Sequence, residues 1–131
     1  MTIRLRGAGA GAALAIVAVL GIHFPLARFG IPLLSLFLAL TACVYLGALL
    51  AQSQRTPVVI SELVVGLIVF VSAALGLLVS PVWLVFGYTS HGLWDWAHDI
   101  GAISTGVSAW FPPACAVFDF LIAAFLVILV V

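Results

Sequence analysis

Apolar runs of about twenty residues, broken by short polar or proline-bearing stretches, fill the chain from end to end. The first run covers 8–26 and is closed by Pro25 and Arg28. The second, 31–51, opens on Pro32 and stops at "AQSQRTP". A third follows Pro57 over 58–79, and a fourth covers 81–100 with Pro81 in its first turn, where a missing N–H costs nothing. "GAISTGVSA" reads as a loop, after which Pro112 and Pro113 open a fifth run over 113–131. No period-two alternation of a membrane β-barrel is present, and no internal repeat is convincing. The pattern predicts one all-α domain over 1–131, a polytopic transmembrane bundle of about five spans.

Composition agrees with that class. Hydrophobic residues make up 66% of the chain and charged ones 6%. Eight charged side chains are too few to cover a water-exposed surface, so the lipid bilayer is the expected surrounding. The formal net charge is zero, with no basic cluster, and this excludes a nucleic-acid partner. Lysine is absent, so Schiff-base chemistry is excluded too. Cys43 and Cys115 lack CxxC spacing and read as buried free thiols. The N-terminal run lacks a small-residue cleavage pattern and reads as a retained helix. Arg4, Arg6 and Arg55 fall at one end of the bundle and Arg28 at the other. A multi-pass protein of the inner (plasma) membrane with a cytoplasmic N-terminus is therefore expected. Trp83 at one end of the fourth run, and Trp94, Trp96 and Trp110 near the other, fit interfacial belts. Gly7 and Gly11, and Gly66, Ala73 and Gly76, offer close helix contacts, and a homo-oligomer is compatible with them.

The fourth run breaks the apolar rule. "SHGLWDWAHD", residues 90–99, carries two histidines and two aspartates. At 100° per residue, Tyr88, His91, Asp95, His98 and Asp99 share an arc of roughly 100°, with Leu93 and Trp96 pointing elsewhere. In the fifth run Cys115 and Asp119 stand one turn apart. Counting ~1.5 Å per residue puts Glu62, Asp95, Cys115 and Asp119 at similar depth, roughly 5–10 Å inside one boundary. Tyr45 and Cys43 reach the same half of the second run, whereas His23 lies at the opposite side.

Ionisable groups in a bilayer are expensive and are functional candidates by default. His91, Asp95, His98 and Asp119 are the candidate catalytic or metal-ligating residues, with Cys115 as a further ligand. Glu62, Tyr88 and Asp99 are candidate supporting partners. Two imidazoles with carboxylates suit zinc or non-haem iron. His91 and His98 are two turns apart, about 10 Å, so a shared ion would sit between them, level with Asp95. Three readings stand: a metal-dependent enzyme on a lipophilic small molecule, a proton-coupled or metal-ion transporter, and a structural subunit whose stripe only fixes packing. A one-sided polar cup favours the enzyme over a through-channel.

The pattern His91-x2-Trp94-Asp95-x2-His98, followed by Trp110-x-Pro112-x2-Cys115-x3-Asp119, resembles a family of small bacterial integral-membrane proteins whose domain has no assigned function. The resemblance covers about the last 40 residues. It implies a shared site and supplies no reaction. Where the family often carries a second histidine, this chain has Asp99.

Overall fold

Prolines set where the helices begin. The structure, a computed structural model, describes residues 2–23 and 27–130, apart from the side chains of His23 and Ala27. Pro25 and the expected position of the His23 side chain lie outside the described residues. Five helices follow one another: α1 Thr2–His23, α2 Gly30–Ala51, α3 Thr56–Leu78, α4 Val82–Asp99 and α5 Phe111–Val130, with a 3₁₀ turn at Ala27–Phe29 before α2. No strand occurs among the described residues. Pro32, Pro57, Pro112 and Pro113 all fall in first turns, and Pro81 caps α4. There the N–H that proline lacks has no intrahelical acceptor to miss. The five expected runs are these five helices, with α1 beginning six residues earlier than the apolar run.

Four of the helices, α1, α2, α3 and α5, are long and apolar enough to cross a membrane. The fourth expected run does not meet that measure, because α4, though 18 residues long, holds the polar stripe and is not apolar enough. Its length is nevertheless about 27 Å, close to the hydrocarbon thickness of a bilayer. It also occupies the middle of the bundle. Helices α3 and α5 flank it, α2 touches it from behind, and α1 packs on the far side of α5. On α4 the polar face turns inward and the apolar face outward: Tyr88, His91, Asp95 and His98 are buried, while Val82, Trp83, Phe86, Leu93 and Trp96 are exposed. That reverses the amphipathic helix of a water-soluble protein and is what a lipid surround demands.

The apolar core lies in the half of the bundle away from the stripe. Leu34 and Leu38 of α2, Val69 of α3, Leu84 and Tyr88 of α4, and Phe118, Ile122 and Leu126 of α5 are each almost wholly buried there. Small residues permit the close crossings. A methyl group added at Gly7 or Gly11 would overlap the carbonyl oxygen of Trp110 or Ala114, so α1 rides directly on the backbone that leads into α5. Gly92 does the same for α4 and α5, where an added Cβ would stand 3.2 Å from the Asp119 Cβ.

Gly101 ends α4 with φ +77°. Its N–H bonds the His98 carbonyl at 3.0 Å, and the Ala102 N–H bonds the Ala97 carbonyl at 2.9 Å, the paired bonds of a Schellman cap. This cap aims the following loop back across the bundle end and sets Thr105 over His98. Gly101→Val forces a β-branched residue into left-handed backbone and should cost about 1–2 kcal/mol. A thermal melt in detergent checks it, and an unchanged midpoint would mean the loop reaches Thr105 without this cap.

Candidate functional site

Every helix brings a residue to the end that carries Arg4, Arg6 and Arg55. There the structure divides the predicted polar residues into two networks and an outlying ion pair.

The inner network is His91, Asp95, Asp119 and Tyr45, drawn from α4, α5 and α2. His91 Nδ1 donates to Asp119 Oδ2 at 2.6 Å and lies 3.1 Å from Asp95 Oδ2, one turn along its own helix. The other Asp95 oxygen accepts the Tyr45 hydroxyl at 2.6 Å. Asp95 and Asp119 have no solvent exposure and His91 has 1%. His91 Nε2 and Asp119 Oδ1 have no hydrogen-bond partner among the described residues, and Asp95 Oδ2 has only the 3.1 Å approach of His91 Nδ1. A buried unpaired polar atom costs about 1–3 kcal/mol, so two beside an incompletely paired carboxylate mark a place arranged for something further.

The outer network is His98, Glu62, Trp94 and Thr105. His98 Nδ1 donates to the Trp94 carbonyl at 2.9 Å, and its Nε2 sits 2.9 Å from Glu62 Oε1 and 3.1 Å from Thr105 Oγ1. Thr105 donates to the same Glu62 oxygen, and the Trp94 indole N–H donates to Glu62 Oε2 at 2.9 Å. Glu62, His98 and Thr105 are buried. With every one of these groups engaged, this network is satisfied where the inner one is not.

Tyr45 joins the two. Its ring stacks on His98 at 4.3 Å between centroids, tilted 31°, while its hydroxyl holds Asp95. A cavity of about 10 Å³ lies between the networks, bounded by Tyr45, Glu62, His91 and Trp94 among others. A cavity of about 260 Å³ at the bundle end is lined by His98, Thr105, Arg4, Asp99 and Pro112.

The predicted residues thus fall as follows. His91, Asp95 and Asp119 are brought together, their ligand atoms all within 4.8 Å of one another. His98 is placed with Glu62, with both ring nitrogens occupied, so the ion expected midway between the two histidines has only His91 on its side. Cys115 is a half-buried free thiol one turn from Asp119 on α5; it lines an apolar cavity of about 200 Å³ and is not among the ligand atoms that converge in the cluster. Tyr88 is not a site partner: its hydroxyl donates to the Leu34 carbonyl at 2.8 Å and ties α4 to α2. Asp99 meets the Arg4 guanidinium at 2.7 Å near the surface. Trp94, expected in an interfacial belt, turns its N–H inward to Glu62, while Trp83, Trp96 and Trp110 are exposed. Cys43, expected buried, is exposed on the apolar exterior.

Sequence reasoning placed Tyr45 in the right layer but gave it no role, and it overlooked Thr105. The signal for Tyr45 was its depth, opposite Asp95. Thr105 had none, because only the turn at Gly101 returns it to His98. No protein family, curated protein or solved structure matches the chain.

Proposed function

We propose that the chain is a membrane metalloenzyme acting on a lipophilic small molecule, with His91, Asp95 and Asp119 as its metal ligands. The observation that carries the reading is the convergence of buried His91, Asp95 and Asp119 ligand atoms within 4.8 Å of one another. Two carboxylates crowd one imidazole nitrogen in a low-dielectric interior, at 2.6 and 3.1 Å, and neither aspartate has any solvent exposure. Two carboxylates repel at this range, and neutral imidazole cannot offset both charges. One divalent cation balances two aspartates and a neutral histidine.

A tetrahedral or octahedral ion with bonds of about 2.0–2.2 Å separates its ligand atoms by roughly 3.0–3.4 Å. The distances of 2.6 and 3.1 Å from His91 Nδ1 to the two carboxylates need only open slightly to admit it. One nitrogen and two oxygens form a borderline-to-hard set that suits zinc or ferrous iron and leaves coordination positions unfilled by protein. The ion would supply Lewis acidity and a water activated near neutral pH. Asp95 is further oriented by Tyr45, as ligating carboxylates usually are by an outer partner.

The substrate class follows from the cavities. An apolar groove of about 410 Å³ opens between α1 and α2, which the α1–α5 packing leaves apart, and is lined by Leu14, Leu33, Phe37 and Phe118 among others. Leu14, Phe37 and Phe118 also line the 200 Å³ cavity that ends on Cys115, one helical turn from Asp119. Apolar walls on both cavities support a lipid-soluble substrate over a water-soluble one. Residence in the inner (plasma) membrane with the arginine-rich end in the cytoplasm is part of the same proposal, resting on the arginine distribution.

Elemental analysis of gently purified protein tests the metal. About one zinc or iron per chain, lost in His91→Ala and kept in His98→Gln, is the expected result. A metal-free wild type that binds no added zinc or ferrous iron would sink the reading. In sealed vesicles, metal flux without any change to added lipids would favour a transporter instead.

A further inference from the structure

We propose that Thr105, His98 and Glu62 form a second catalytic centre, an esterase site on the cavity of about 260 Å³ at the arginine-bearing end, with Thr105 as nucleophile and a neutral lipid acyl ester as substrate. It rests on the outer network alone and does not depend on the metal reading above.

A hydroxyl becomes a nucleophile when a base stands within hydrogen-bond reach and a third group orients that base. These conditions meet at Thr105. Its hydroxyl donates to Glu62 Oε1 and lies 3.1 Å from His98 Nε2. The Trp94 indole N–H holds the other Glu62 oxygen, and the Trp94 carbonyl holds His98 by its Nδ1. A carbonyl only accepts, so Nδ1 carries a hydrogen. Nε2 faces Glu62 Oε1 at 2.9 Å, a contact two lone pairs would not keep, so a further proton lies between them. The pair thus has one proton to give, while its carboxylate can take another. Thr105 and His98 both line the cavity, where a substrate can reach them.

The protons balance. Thr105 Oγ1 bonds the ester carbonyl carbon as its hydrogen passes to Glu62. The bond from that carbon to the alcohol oxygen then breaks, and the proton on His98 Nε2 goes to the departing oxygen. The proton on Glu62 takes its place between Oε1 and Nε2. Water entering from the bundle end reverses the sequence. Its oxygen bonds the acyl carbon, one of its protons goes to Glu62, and the shared proton returns to Thr105 Oγ1 as the carboxylic acid leaves. The pair holds one proton before and after each half, and the sum is ester plus water giving acid plus alcohol. The Ser104 and Thr105 N–H groups bond no protein acceptor among the described residues and are donors available to the oxyanion.

The cavity walls select the substrate. Arg4 and Asp99 both line the cavity and pair with each other, so their charges sum to zero. A phosphate here would meet the Asp99 carboxylate as well as the guanidinium, whereas a neutral ester meets no repulsion. Ile103, Val107 and Pro112 supply apolar wall. Exposed Trp96 and Trp110 mark this end as the headgroup level, beside which the ester groups of a glycerolipid lie.

The full chain in detergent, given para-nitrophenyl dodecanoate as a neutral long-chain ester, tests this. Wild type should release nitrophenol with a burst of about one equivalent per chain, the mark of an acyl-enzyme. Mass spectrometry of the quenched protein should find the acyl group on the peptide that bears Thr105. Thr105→Val should lose turnover and Thr105→Ser should keep it. His98→Gln should slow it on the order of 10²-fold, the range of a positioned proton-transfer group. Chelation should change none of these results. The proposal is overturned by a wild type that hydrolyses no ester, by equal hydrolysis in Thr105→Val, or by turnover that needs bound zinc or iron. Loss in Thr105→Ser as well as Thr105→Val would mark a structural hydroxyl and overturn it too. Failure here leaves the metalloenzyme standing, because elemental analysis tests that separately.

Discussion

Asp119→Ala will lower the stability of the chain by about 1–3 kcal/mol, the cost of leaving the buried His91 Nδ1 without its nearest acceptor. On the metalloenzyme reading it will also abolish metal binding. The carboxylate has no solvent exposure, and His91 Nδ1 approaches it more closely than it approaches Asp95. Without it the imidazole loses its nearest partner in a space that water does not reach. Asp119→Asn keeps the volume and should recover part of the stability, yet it still loses the metal because an amide is a poor ligand for zinc or ferrous iron. Thermal or denaturant unfolding in detergent, paired with elemental analysis, separates these effects. Asp119→Ala with wild-type stability would mean the cluster does not hold α4 against α5. Equal destabilisation in a wild type that contains no metal would leave the cluster a packing device.

The second large effect is expected far from the cluster. Gly11→Leu places a branched side chain where the Ala114 carbonyl already stands. Backbone cannot rotate aside as a side chain can, so α1 must lift from α5. A cost of about 3 kcal/mol, at the upper end of ordinary overpacking, is expected. Gly9→Leu is the matching control, because nothing lies within 4 Å of a Cβ added there. It should stay within about 0.5 kcal/mol of wild type, as exposed substitutions do. Melting temperatures measured side by side decide the matter. Equal effects at positions 9 and 11 would show that α1 does not seat on α5 through its glycines.

Much of this was legible in the chain. Hydrophobic runs and prolines placed five helices within a few residues of where they stand, because lipid leaves a spanning segment little choice but helix and proline is tolerated in first turns. The inward turn of α4 was legible for the same reason: a bilayer penalises His91, Asp95 and His98 on any outer face. Depth counting aligned Glu62 and Asp119 with that stripe.

The sequence by itself determined the class of the molecule, the helix that carries the polar face and the set of residues able to form a site. Only the tertiary structure decided how that set divides. Helical periodicity fixes which residues share a face, but not which neighbour each meets across the gap. His98 could have joined His91 around one ion; the rotation of α3 brings Glu62 to it instead, and the left-handed turn at Gly101 adds Thr105. Tyr45 became the link between the networks because α2 lies behind α4. Close approaches at Gly76 and Gly87 seat α3 and α2 against α4, and a few tenths of an ångström in such contacts decide which donor reaches which acceptor.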